Sequence, residues 1–381
     1  MTAQTAQTAQ ERSIPLVRLA ILIPGAIGLL LGLDAALLLL SLPAPVRWDH
    51  LREVHGLLLV LGAVGTLVSL ERAVALKRWW GFASPIGLGL GGLGLVAQAS
   101  TVVSGLLFLL GSGALVFVYV ALWRRQPADA VVIQAGGAAM AVGATLLWMG
   151  GVAVPVLLPW LGGFLILTIL GERLELARVV IPDRVATITS LLSGVFAATA
   201  LVALLWPLPG YRLLAEALLA LTIWMGIHDV ARRTIRATGL TRFMAFCLLA
   251  GYVWLAVTGA IWLMTGPQLD GPGYDAAIHT IFLGFVMSMI MAHAPVILPA
   301  VLHVRLPYHR AMYAPAVLLH ASLILRVVVG DGFDVVWAWR LGGTLNVVAV
   351  LGFVVVAVWS ALTAGPPTKH SPAPAASEAR S

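Results

Sequence analysis

Stretches of about twenty apolar residues, each closed by charges or a proline, repeat along almost the whole chain. That length crosses ~30 Å of hydrocarbon as an α-helix, whereas a transmembrane barrel would show ten-residue alternating segments, which are absent. Twelve spans are predicted, near 16–42, 51–76, 82–99, 101–123, 128–149, 153–176, 185–206, 211–230, 241–265, 275–302, 311–329 and 334–363. Breakers separate them: Pro43, Pro45, Pro127, Pro155, Pro182, Pro207, Pro209 and the loop GPQLDGPGYD at 266–275. The expected fold class is all-α, a polytopic membrane protein with one twelve-helix domain over 16–364. The TAQ repeat of residues 1–15 and the Pro/Ser-rich stretch 365–381 are expected to be disordered tails. The first apolar run is too long for a cleavable signal and lacks a small-residue cleavage site.

Composition agrees. The chain is 60% hydrophobic and 10% charged, against roughly 25% charged in soluble proteins. One cysteine, Cys247, excludes an intrachain disulfide. The net charge of +7 could suggest nucleic acid, but the basic residues sit at helix ends, so no nucleic-acid partner is expected. Five of the 23 Lys and Arg residues (Arg47, Arg52, Arg212, Arg326, Arg340) fall on one side of the predicted topology and the rest on the other. The positive-inside rule then places both termini in the cytoplasm.

A faint repeat runs through the spans. SLERAVALKR (69–78) ends the second and LGERLELAR (170–178) the sixth, while MAHAPVILP (291–299) puts His293 at comparable depth in the tenth. Three pseudo-symmetric four-helix units explain this pattern. A plain preference of helix ends for charge explains it equally.

Histidines carry the candidate chemistry. His55 lies about one turn inside the outer end of the second span, with Gly62 seven residues on and within about 20° of the same face. A glycine there would leave room for a flat macrocycle. Taken alone, His55 reads as an interfacial residue reaching for headgroups. His279 lies at the same depth in the tenth span, and a haem takes neutral imidazole from two sides, so the pair reads as ligands. His293, fourteen residues on, is about 21 Å deeper and about 40° round. His320 is mid-span in the eleventh. Ionisable side chains near the midplane point to function: a second metal, proton transfer or a bond across helices. His50 is an alternative to His55. His228, His303, His309 and His370 read as solvated.

Arg326 and Arg340 sit just inside helix ends, where an acidic partner is needed. Haem propionates would supply one, as would Asp331 and Asp334. Asp34, Glu71 and Glu172 read as salt-bridged links between helices before proton carriers. No CxxCH, nucleotide-binding glycine loop or broken helix pair is present.

Twelve spans with histidines on the second and tenth resemble the catalytic subunit of haem-copper oxidases. The resemblance implies a pseudo-threefold fold with His55 and His279 as axial ligands of a low-spin haem. The copper-site histidines of that family have no match, since the sixth span offers only Glu172 and Glu175 and the seventh nothing. Two stretches are similar to the NnrS family of haem- and copper-containing membrane proteins linked to nitric oxide metabolism. They are VHGLLLVLGAVG (54–65), with Gly56 where that family has glutamate, and HTIFLGFVMSMIMAHAPVILPAVL (279–302) with LLHASLILRV (318–327). That family's arginine and glycine-histidine-threonine-glycine run is missing. The resemblances imply a b-type haem, and copper where His293 and His320 hold a second metal. They also imply electron transfer or a response to nitric oxide or another small gas, in a bacterial inner membrane, with a redox protein or the gas as partner. A transporter or metal-handling permease with a midplane histidine relay is the alternative.

Overall fold

The computed structural model describes residues 15–364, so both predicted tails lie outside the described residues. It is all-helical, with twelve helices long and apolar enough to cross a membrane among the described residues. These are α1 (Leu16–Leu39), α2 (Leu51–Leu76), α3 (Trp79–Val96), α4 (Thr101–Arg125), α5 (Asp129–Met149), α6 (Val154–Leu176), α7 (Asp183–Leu205), α8 (Pro207–His228), α9 (Gly239–Thr265), α10 (Gly271–Leu302), α11 (Arg310–Asp331) and α12 (Val336–Leu362). The chain is a multi-pass membrane protein.

Two boundaries differ from the sequence reading. Pro207 and Pro209 do not hold a loop open; they occupy the first turn of α8, where no backbone N–H needs a partner. Likewise α10 begins at Gly271, so Pro272, Tyr274 and Asp275 are helical rather than part of the preceding loop. The second shift matters for the site, because it sets Asp275 one turn above His279.

Packing follows a period of four. In each of α1–α4, α5–α8 and α9–α12 the first helix touches the second and third, and the third touches the fourth. The contacts α4–α5, α8–α9 and α12–α1 join the units into a ring. The second helix of each unit is drawn inward: 67%, 78% and 61% of the most apolar stretch is buried in α2, α6 and α10, against at most 56% elsewhere. This is the arrangement expected of three pseudo-symmetric units.

With no water to expel, helix association in lipid depends on close packing, which small residues permit. Gly87 and Gly111 bring the α3 and α4 backbones together so closely that a Cβ on Gly87 would lie 2.6 Å from Gly111 N. Three π-helical stretches interrupt the bundle, at Leu58–Gly65 in α2, Thr280–Met287 in α10 and Leu325–Asp331 in α11. The first two follow His55 and His279, and the third contains Arg326. Such widened turns re-aim side chains and occur often at functional sites.

Candidate functional site

Two cavities stand end to end inside the arc formed by α1, α2, α6, α10 and α12. The outer one, about 330 Å³, is lined by His55 and His279 among mostly apolar side chains, including Leu33, Leu161, Phe282 and Val347. Its lower wall (Val64, Leu165, Met287, Val350) is also the upper wall of an inner cavity of about 330 Å³. Above the histidines a vestibule of about 470 Å³ reaches Asp275, Arg326, Asp331 and Trp339.

Both histidines are fixed in the same way. His55 Nδ1 lies 2.8 Å from the Gly32 carbonyl of α1, and His279 Nδ1 lies 2.7 Å from the Asp275 carbonyl one turn earlier. A carbonyl only accepts, so each Nδ1 carries a proton, and in the neutral imidazole Nε2 is then the atom with a lone pair to offer. Anchoring one ring nitrogen to a carbonyl and leaving the other free is how metal-ligating histidines are usually held. Arg326 donates from Nε and Nη2 to the Asp275 carboxylate at 2.8 and 2.7 Å, and that carboxylate is also 3.4 Å from His279 Nδ1. Nη1 is left toward Gly343, where an added Cβ would stand 3.1 Å from it. Asn346 borders the same cavity, and its buried Oδ1 accepts no hydrogen bond.

The opposite ends of α2 and α6 carry buried charge. Arg72 pairs with Glu71 and, at 2.8 Å, with Glu175. Arg173 binds Asp229 through two bonds of 3.1 and 2.8 Å, and Asp229 also accepts from Tyr252 Oη and the Ala231 N–H, both at 2.8 Å. Burial alone would push the Asp229 carboxyl up. The Arg173 bonds and charge, with the Ala231 and Tyr252 donors, outweigh it and hold the group below the ordinary carboxylate range. Asp34, on α1, accepts from the Val46 N–H at 2.9 Å and so ties the α1–α2 loop to its helix. Neither Asp34, which bonds a loop N–H, nor Glu71, which pairs with its neighbour on α2, is the expected salt-bridged link between helices; Glu175, paired with Arg72, makes that link instead. Glu172 borders the inner cavity without a hydrogen bond or ion pair among the described residues.

Of the residues singled out from the sequence, His55, His279 and Arg326 meet at one cavity. The others do not join them. Gly62 faces α3, where an added Cβ would stand 3.1 Å from Gly92 Cα, so it permits helix contact and does not border the cavity. The assumed 100° per residue fails across the π-helical turn that begins at Leu58. Arg340 is exposed and lines neither outer cavity nor vestibule. His293 donates from Nδ1 to the Met289 carbonyl at 2.8 Å and meets Arg173 Nη1 with Nε2 at 3.3 Å. No lone pair remains for a metal. His320 turns to α9, accepting at Nδ1 from Trp254 Nε1 at 3.1 Å, and its buried Nε2 has no partner. These two histidines bond across helices and do not face one another over a shared site. No group of three or more His, Cys, Asp or Glu among the described residues is placed to hold a metal ion. His50 spends both nitrogens at the end of α3, on the Val96 carbonyl (3.2 Å) and Gln98 (3.1 Å), and so does not substitute for His55.

Asp275 is the residue that sequence reasoning missed. Its spacing of four from His279 was a usable signal, hidden by reading Gly-Pro-Gly as a loop. The partner of Arg326 is therefore neither Asp331 nor a ligand alone, but a carboxylate on α10.

A family profile described as "Domain of unknown function (DUF8744)" matches residues 18–362, from the first turn of α1 to the last of α12. The chain belongs to the DUF8744 family. No curated protein and no solved structure matches it.

Proposed function

We propose that this chain is a haem-binding protein of a bacterial cytoplasmic membrane, with His55 and His279 as the residues that would hold the iron. One observation carries the reading: two histidines from different helices border a single apolar cavity, each with Nδ1–H held by a carbonyl, which leaves Nε2 as the nitrogen free to meet a metal. The cavity falls in the size range of sites for small organic ligands. Arg326 Nη1 and the unpaired Asn346 Oδ1 offer polar contacts at its rim, the former suited to an acidic substituent.

A haem held by His55 and His279 would supply one-electron chemistry at its iron, and two imidazole ligands would favour electron transfer over capture of a gas. The chain's part is then to orient the imidazoles, to hold the Arg326–Asp275 pair beside His279, and to exclude water with the apolar wall. A response to nitric oxide or a similar gas, suggested by the NnrS resemblance, would require one histidine to leave. The excess of Lys and Arg at the α2–α3, α4–α5, α6–α7, α8–α9 and α10–α11 connections supports cytoplasmic termini, which puts the vestibule on the outer side. A histidine relay through the midplane is not favoured, because His293 and His320 are engaged with Arg173 and Trp254.

The test is the haem content of the purified protein. Expression with ample haem supply and a pyridine haemochrome assay should give one b-type haem per chain. A colourless, folded protein would overturn the proposal.

A further inference from the structure

The inner cavity is an apolar slot with one polar end. Residues from α1, α2, α6, α10 and α12 line it, and only Glu71, Glu172 and His293 are polar or charged. His293 has both nitrogens engaged and Glu71 accepts from Arg72. Glu172 is different. It is 8% exposed, lines the slot, and has no hydrogen bond or ion pair among the described residues, only the more distant charges of Arg72 and Arg173. A buried carboxylate without donors is costly, so something that donates belongs beside it.

The slot also reaches the bundle perimeter. Ala26 on α1 and Val354 and Val358 on α12 line it and are exposed, the two valines by 39% and 53%. Helices α1 and α12 are where the ring closes, so a molecule dissolved in the hydrocarbon can enter between them without crossing water. The walls restrict what that molecule is. Phosphate, sulfate or carboxylate heads would be repelled by Glu71 and Glu172, and a bare acyl chain leaves Glu172 without a donor. A quaternary ammonium has no hydrogen to give. A hydroxylated ring satisfies the carboxylate, and Met287, Met289 and Phe353 give the slot the sulfur and aromatic surfaces that pack well on a flat ring.

We propose that the inner cavity binds a membrane-dissolved hydroquinone, whose ring hydroxyl donates to Glu172 and whose hydrocarbon tail leaves between α1 and α12. The site contains neither His55 nor His279, so it stands or falls separately from the haem reading.

The experiment compares decylubiquinol, kept reduced under argon, with decylubiquinone, binding to the full-length protein in dodecyl maltoside. Bound ligand is extracted after gel filtration and quantified. Saturable binding of one hydroquinone per chain is expected, with the quinone bound roughly tenfold more weakly because its carbonyls cannot donate. Glu172→Gln should abolish that preference, and Ala26→Trp should block both ligands by filling the mouth. His279→Ala should leave hydroquinone binding intact, which separates this result from the fate of the haem. Equal binding of the two redox forms would overturn the proposal. So would a preference that survives Glu172→Gln, or competition by dodecane as effective as that of the hydroquinone, which would mark an acyl-chain slot only. Should Glu172→Gln fail to fold, the comparison on the unsubstituted protein with Ala26→Trp still decides.

Discussion

Asp229→Asn is the substitution from which the buried ion pair predicts a large loss of stability. The Asp229 carboxylate is 2% exposed and the Arg173 side chain 8%, so water screens little of their attraction. Four donors converge on it: two from Arg173, Tyr252 Oη and the Ala231 N–H. An asparagine keeps one acceptor oxygen for Ala231 or Tyr252, worth about 1 kcal/mol. It leaves the Arg173 guanidinium buried without its counter-charge, and breaking a buried pair in this way costs ~3–5 kcal/mol. The assay is reversible unfolding in mixed micelles of rising SDS fraction, followed by circular dichroism. The double variant Arg173→Met with Asp229→Asn removes the charge on both sides, and should recover most of the loss by non-additivity. A loss of less than ~1 kcal/mol in Asp229→Asn, the value of a solvent-exposed pair, would refute this. Strictly additive single losses in the double variant would refute it as well.

Other outcomes follow from the same geometry. Because the folded-state pKa of Asp229 is depressed, its stabilisation is present above the unfolded carboxylate value of ~4 and is lost as pH falls below it. Acid unfolding curves should therefore be steeper for the unsubstituted protein than for Asp229→Asn. Gly62→Val forces a branched side chain against Gly92 and should cost about 1–3 kcal/mol, while leaving haem content per folded chain unchanged. His293→Ala and His320→Ala should likewise leave the absorption spectrum in place, since neither histidine borders the outer cavity. If His279 holds a haem as proposed, Asp275→Asn should shift its reduction potential upward, because it removes a negative charge beside His279 and strands the Arg326 charge; potentiometric titration reads this directly.

The sequence carried the large-scale pattern because membrane helices are specified by length and hydropathy, which are local properties. The even spacing of Glu71-Arg72 and Glu172-Arg173 marked α2 and α6 as equivalent, and the burial of α2, α6 and α10 bears out that period. The match of His55 to His279 was also legible, since depth along a helix follows from counting residues. What counting could not provide was azimuth. The π-helical turns in α2, α10 and α11 rotate each face away from the 100° rule, which is why Gly62 points at Gly92 and away from the cavity. Nor could it provide partners across helices. Arg326 finds Asp275, fifty-one positions away, and His293 finds Arg173, one hundred and twenty away. Those contacts depend on how α6, α10 and α11 pack, and nothing near either residue in sequence announces them.

The most direct test of the central claim is the absorption spectrum of the detergent-purified protein beside those of His55→Ala, His279→Ala and His50→Ala. A low-spin b-type Soret band is expected, lost or converted to a high-spin form in the first two variants and unchanged in the third. A band that survives both ligand substitutions, or one that depends on His50, would contradict the claim.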